Sequence, residues 1–320
     1  MSAKPSHLQL GFIFALVAST FLMGSSFIAG KVLMRDGFTP MILVGGRFLV
    51  AAMATLPLVL LESRRFTQAL LPRGFRVRDW TIVTLIGLTQ TGAVMGLLFT
   101  AMKSVTASTA AILLFSNPIW VAILSRLFLA EPLGGSRIAG LLIGLVGVTL
   151  AMGIGTNVLN DGTAIGKIIG LLSAMCWASA TIIHKRANLP MGSWALSFWQ
   201  MLIGAVALLG VAYASGEHWP HSTTFVQWSW FLWLAIPASA GSFGLWYVAL
   251  AQGGATRASA YLFLAPLFTV ILSFFVLGTT LSWIQSLGGV LIGAALWLIN
   301  REPPQCNSGQ IRQALSEGEP

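Results

Sequence analysis

Long apolar runs separated by short polar loops dominate the chain from about residue 8 to 299. Ten runs can be marked, at about 8–31, 41–61, 80–101, 107–128, 138–154, 165–184, 193–214, 228–250, 257–278 and 282–299. Each is near the roughly 20 residues that a helix needs to cross ~30 Å of hydrocarbon. The runs lack the ~10-residue alternation of a membrane barrel, and unpaired backbone groups are costly in lipid, so helices are the expected spanning form. The fifth run is short and Gly-rich, which points to a place between neighbouring helices rather than against lipid. The first run is too long for a signal h-region of roughly 7–15 residues and is read as a retained span.

The pattern is written twice. Ala101-Met102 leads through Ser108, Pro118 and Ser125 to Gly140-Leu-Leu-Ile-Gly144, and Ala249-Leu250 leads through Thr256, Pro266 and Ser273 to Gly289-Val-Leu-Ile-Gly293. Phe21–Lys31 lies over Met175–Lys185, which sets Met23 against Trp177. Arg47 lies over Gln200, and Leu97-Leu-Phe99 over Leu245-Trp-Tyr247. Small residues at matched positions let helix backbones approach closely in lipid. Five crossings repeated in tandem enter the second time from the other face. The expected fold is therefore an all-α integral membrane protein of ten transmembrane helices, arranged as two inverted five-helix repeats. The first repeat covers 1–156, the second 157–300, and a polar tail, expected to be disordered and cytoplasmic, covers 301–320.

Charge fixes an orientation. With the N-terminus inside, inner segments collect thirteen Lys and Arg residues against four outside (Lys31, Arg35, Lys103 and Lys167), and Arg47 lies within a span. This positive-inside bias puts both termini in the cytoplasm. The net charge of +9 could suggest nucleic acid. However, the cations sit in short loops and form no basic stripe interleaved with aromatics, so no nucleic-acid partner is expected. At 56% apolar and 8% charged, the chain lies far from the roughly 25% charge of a soluble domain. Cys176 and Cys306 form no CxxC pair. The histidines have no ligand spacing, and His218 and His221 read as loop residues. No cofactor or metal is expected.

At the residues Ala101-Met-Lys-Ser-Val-Thr-Ala-Ser108, Pro118, Phe128-Leu-Ala-Glu131-Pro132-Leu133 and Gly140-Leu-Leu-Ile-Gly144, the chain resembles the EamA-type domain of the drug/metabolite transporter superfamily. The resemblance covers about residues 10–299 as two such domains. It implies ten helices, inverted halves, a central substrate cavity, and export of amino acids or other small metabolites across the inner (cell) membrane of a bacterium. Two departures stand out. Met23 replaces a tryptophan often found in the first helix, which puts a first-helix aromatic contact in doubt. Thr279-Thr280 replaces the Glu-Pro seen at 131–132, so the two halves differ at their loop ends.

Chemistry is sparse. All nine acids lie in loops, at span ends or in the tail. Intramembrane carboxylates usually carry proton relays or coupling ions. Their absence argues for a facilitator, or for coupling through the substrate's own charge. Arg47 is the one ionisable residue set well inside a span. It either contacts an anion such as a substrate carboxylate, or snorkels to headgroups or bonds helix carbonyls. The structural reading is favoured, because Arg is frequent there across the resembling family whatever the substrate.

The substrate-binding candidates are Ser25, Gln90, Asn117, Trp177, Gln200, Trp246 and Tyr247. Ser26, Thr91, Trp199, Ser239 and Tyr261 are further polar or aromatic span residues. Pro118 and Pro266 each remove a backbone donor and break a helix, either to line a cavity or only to pack. The inward Trp rings suit flat, partly apolar ligands, or simply pack. No GxSxG, P-loop or paired carboxylates occur, so an enzyme is not expected. The expected partners are a small-molecule substrate and the lipid bilayer, with the protein a monomer or weak homodimer. The alternatives are a carrier of sugar-phosphate, nucleotide-sugar or lipid-linked substrates, which would need more cations than Arg47 and Lys31, and a non-transporting membrane scaffold subunit.

Overall fold

The computed structural model describes residues 7–62, 66–72, 74–105, 107–152, 163–278 and 282–300. The expected tail, the linker around the repeat boundary at 156–157, and Thr279-Thr280 lie outside the described residues. Every regular element among the described residues is helical. Among the described residues nine helical runs are long and apolar enough to cross a membrane, and Gly135–Ala151 is a shorter apolar helix.

In chain order, α1 is His7–Arg35 and α2 is Pro40–Glu62. A five-residue helix, Phe66–Leu70, leads to α3, Val77–Ala101. The α4 run comprises Ala107–Leu114 and Asn117–Phe128, and α5 is Gly135–Ala151. Next come α6, Ala164–Ala187; α7, Ser193–Ala214; and α8, Phe225–Gln252. The α9 run comprises Ala255–Ala260, a 3₁₀ turn at Tyr261–Phe263, and Leu264–Leu277; α10 is Trp283–Asn300. Boundaries follow from local chemistry. Thr163 caps α6 by accepting from the Gly166 amide at 3.1 Å, and Asn188 ends that helix in the left-handed region at φ 43°, as short polar side chains can.

Both α3 and α8 contain one π turn, at Leu88–Ala93 and at Ile236–Gly241. The offset is 236 − 88 = 148 residues, the same as between the two repeat prolines. Single π turns inside helices widen the backbone locally and recur at functional positions. Helix pairing has the same doubled character. α2 packs on α7, α5 packs on α10, α1 packs on α8 and α9, and α6 packs on α3 and α4. Exchanging each helix for the one five places away returns the same set of pairs.

Glycine makes the closest of these contacts possible. A Cβ on Gly147 would stand 2.9 Å from the Gly288 carbonyl, so α5 and α10 meet backbone to backbone. The expected position of α5 between neighbours needs correction. Its glycine face packs on α10, but Ile138, Leu142 and Val146 on the other face are exposed and form part of the outer apolar surface. A helix with small residues on one face and branched ones on the other can meet both a neighbour and lipid.

Candidate functional site

A cavity opens between the helices, with about 130 Å³ accessible to the centre of a water molecule. Helical periodicity builds its walls. Met23, Ser26, Phe27, Gly30 and Met34 are one face of α1, spaced at three and four residues. Leu43, Val44 and Arg47 come from α2, and Met95, Leu98, Phe99 and Met102 from the end of α3 and the residue beyond it. Ala110, Ala111, Leu114 and Phe115 come from α4, Leu234, Ala238 and Phe243 from α8, and Trp177 from α6. The cavity thus runs from the end of the molecule where α1 meets α2 toward the middle of α6. Trp177 forms its inner limit, its ring set edge-on against Trp246 at 6.3 Å between centroids.

Arg47 is 9% exposed and carries the only charge among the lining residues. Its guanidinium lies over the Phe48 ring at 4.6 Å, and Nη2 is 3.8 Å from the Met95 sulfur. Nε is buried without a hydrogen-bond partner. The helix-carbonyl bonding expected of a structural arginine is not what holds this side chain. Ser26 also faces the cavity, donating its hydroxyl to the Met23 carbonyl at 2.7 Å.

The remaining sequence candidates lie outside the cavity wall. Trp246 and Tyr247 are fully buried beyond Trp177, and neither the Trp246 Nε1 nor the Tyr247 hydroxyl has a partner. His184, two helical turns past Trp177, sets its ring edge-on against Tyr247 at 5.0 Å, with Nδ1 also unpartnered. Gln200 on α7 accepts from the Thr91 hydroxyl at 2.5 Å and leaves its amide nitrogen unpaired. Gln90 is buried on the π turn of α3, its amide nitrogen likewise unpaired. Asn117 donates to the Ala174 carbonyl at 3.1 Å, and its own carbonyl oxygen is unpaired.

Two placements correct expectations. Ser25 turns toward α8, where it accepts from Trp233 Nε1 at 3.1 Å; its neighbour Ser26 takes the cavity side because successive helix positions point about 100° apart. Trp199, read as an inward ring well inside its span, donates to the Leu70 carbonyl at 2.9 Å and packs against Trp80, so its ring turns toward the segment before α3 and not into the cavity. The prolines divide between the two readings. The interruption before Pro118 brings Leu114 and Phe115 into the cavity wall. The one before Pro266 is the 3₁₀ turn whose Phe263 is fully buried against Gly144.

The far end is shut by contacts between the halves. The Glu131 carboxylate, beyond the end of α4, accepts from the Ala255 and Thr256 amides at the start of α9, at 2.7 and 3.1 Å. The Ser125 and Thr256 hydroxyls meet at 2.9 Å. At the cavity end, Glu217 accepts from the Ile42 amide at 3.0 Å, tying the chain after α7 to the start of α2. Sequence reasoning passed over Glu131 and Glu217 as loop acids. It also passed over the methionines Met34, Met95 and Met102, and Met23 was noted only as a missing tryptophan. A Met and Phe face recurring at helical spacing on both α1 and α3 was the available signal.

The EamA-like transporter family model matches residues 9–153 and again 164–301. A chloroplastic WAT1-related protein of Arabidopsis thaliana is 26% identical, with 89% of this chain and 68% of that protein covered. A protein of Archaeoglobus fulgidus named as an uncharacterized transporter is 25% identical over 91% of this chain and 98% of its own length. Protein PecM of Dickeya dadantii is 28% identical over 69% of this chain and 73% of PecM. A crystal structure covers 93% of this chain at a TM-score of 0.74 and 16% identity, a likeness of fold. The chain is an integral membrane transporter and belongs to the EamA-like transporter family.

Proposed function

We propose that the protein is a secondary transporter exporting small metabolites, of the size of amino acids, by alternating access. In this reading ten helices form two inverted halves, 1–156 and 157–300, that rock about a site near the membrane midplane. The helix pairing that maps onto itself and the matched π turns support the inverted arrangement. With both termini in the cytoplasm of a bacterium, the positive-inside bias places the cavity mouth outside and Glu131 inside. The conformation is then the outward-open one, after release of substrate.

One observation carries the reading. Leu98 and Phe99 line the open cavity, while their repeat counterparts Trp246 and Tyr247 are shut in a layer holding unpartnered polar atoms. Each buried polar group without a partner costs about 1–3 kcal/mol. Opening the inner face would hydrate the Trp246, Tyr247, His184 and Gln200 groups and offer them to substrate. Gln90 and Asn117 sit at the helix breaks that would flex. The cavity holds one cation, too little for the phosphates of sugar-phosphate, nucleotide-sugar or lipid-linked cargo.

A disulfide lock tests this reading. Ser125→Cys with Thr256→Cys spans the two halves where the hydroxyls are 2.9 Å apart. Vesicles containing the variant are preloaded with labelled amino acids and organic acids. Oxidation should arrest efflux and reduction restore it. Efflux indifferent to the lock would contradict alternating access.

A further inference from the structure

We propose that the cavity selects a small apolar monoanion without a free ammonium group, with its carboxylate on Arg47 and its aromatic or branched body among the methionine and phenylalanine side chains. This rests on the reading that the cavity is the transport site. It departs from a zwitterionic amino acid as cargo.

Arg47 is the sole ionisable group among the lining residues. A cation held inside a membrane span is unfavourable without a counter-charge. Its contacts are the Phe48 ring at 4.6 Å, a cation–π arrangement, and the Met95 thioether sulfur at 3.8 Å. Neither contact brings a negative charge, no lining residue is acidic, and Nε has no partner. A carboxylate entering the cavity would supply that charge and a fork-shaped acceptor that guanidinium matches well.

The rest of the wall excludes other charges. No lining residue is acidic, so an ammonium on the ligand would find no carboxylate and would lie close to Arg47. A dianionic phosphate would leave one charge unmatched. Carbon and sulfur make up nearly all the remaining surface, from Met23, Met34, Met95 and Met102 and the rings of Phe27, Phe99, Phe115, Phe243 and Trp177. Thioethers adapt their shape to aromatic edges, which fits a wall that accepts several related acids. Size agrees as well. The cavity has about 130 Å³ accessible to the centre of a water molecule, somewhat less than the about 150 Å³ of a cavity that takes one benzene ring, so a single small ring or branched chain is the largest body that fits inside, with any further atoms toward the mouth.

Three compounds of one carbon skeleton isolate the charge pattern: 3-phenylpropanoate, its neutral amide 3-phenylpropanamide, and L-phenylalanine, which adds the ammonium. Binding to the full chain in detergent is read by isothermal titration and by thermal shift at about 10 mM, where ligands of about 1 mM affinity register. We expect the acid to bind at least about tenfold tighter than either analogue, the ratio of one charge-assisted contact. Arg47→Gln should bring the acid-to-amide ratio near one, and Arg47→Lys should keep most of it. The wild-type comparison needs no variant, so a folding defect in Arg47→Gln leaves the test intact. Equal or tighter binding of L-phenylalanine or the amide, no binding of the acid, or an unchanged ratio in Arg47→Gln would overturn the assignment. Those failures leave the transport reading standing, because the Ser125–Thr256 lock reads it independently. Efflux unaffected by that lock, with the ligand preference intact, would instead leave a binding site without the transport cycle.

Discussion

Two matched regions of this molecule share a backbone plan and differ in what fills them. Around Met23, Arg47, Leu98 and Phe99 the helices leave a cavity. Of the repeat counterparts, Trp177 forms the inner limit of that cavity, and Gln200, Trp246 and Tyr247 behind it are at most 1% exposed. Each exchange from Met23, Leu98 and Phe99 adds bulk or a polar tip, from thioether to indole, isobutyl to indole and phenyl to phenol. The larger side chains close their region at the cost of stranding the polar tips. The backbone plan is shared, and side-chain volume decides which of the two regions holds the cavity in this structure.

The largest effect should come from overfilling the closed region. Gly204 on α7 faces Thr91, and a Cβ there would stand 3.0 Å from the Gly87 carbonyl. Gly204→Leu should lower stability by about 3 kcal/mol or more, as overpacking against backbone does, read as loss of thermal stability in detergent. Next is the clasp at the shut end. Glu131→Gln weakens two charge-assisted bonds worth about 1.5–3 kcal/mol each. A cysteine placed at Tyr247 in that background should react with maleimide about tenfold faster or more, since each 1.4 kcal/mol is a factor of about ten.

Tyr247→Phe runs the other way. Removing a buried hydroxyl with no partner should raise stability by about 1 kcal/mol and slow opening of the closed region; lowered stability would mean the hydroxyl has a role in the resting state. The smallest effect belongs to the open region. A Cβ on Gly30 meets nothing within 4 Å. Gly30→Leu should stay within about 0.5 kcal/mol of wild-type stability while blocking efflux from loaded vesicles.

Much of this was legible in the chain itself. Apolar run lengths marked the helices because lipid admits few other forms, and the Pro118/Pro266 and Phe99/Tyr247 matches marked corresponding positions. The site was harder to read. Polar residues such as Gln90, Gln200 and Asn117 drew attention because polarity in a span is conspicuous, yet they are buried between helices in the resting state. The cavity wall is mostly methionine, phenylalanine and leucine, which composition cannot separate from lipid-facing residues. Only the rotation of α1 tells Ser25 from Ser26, and no periodicity argument fixed that rotation. The contact of Glu131, a residue noted only within its Glu-Pro motif, was hidden for a different reason. Its partners, the Ala255 and Thr256 amides, lie 124 and 125 residues away.

The most direct measurement places single cysteines at Phe99 and Tyr247 in a background with Cys176 and Cys306 replaced, and labels each with a membrane-impermeant maleimide from one side of the membrane at a time. The account predicts that the cysteine at 99 reacts rapidly from the outside only, and that the one at 247 reacts slowly and from the inside only. Labelling of both from the same side would contradict it.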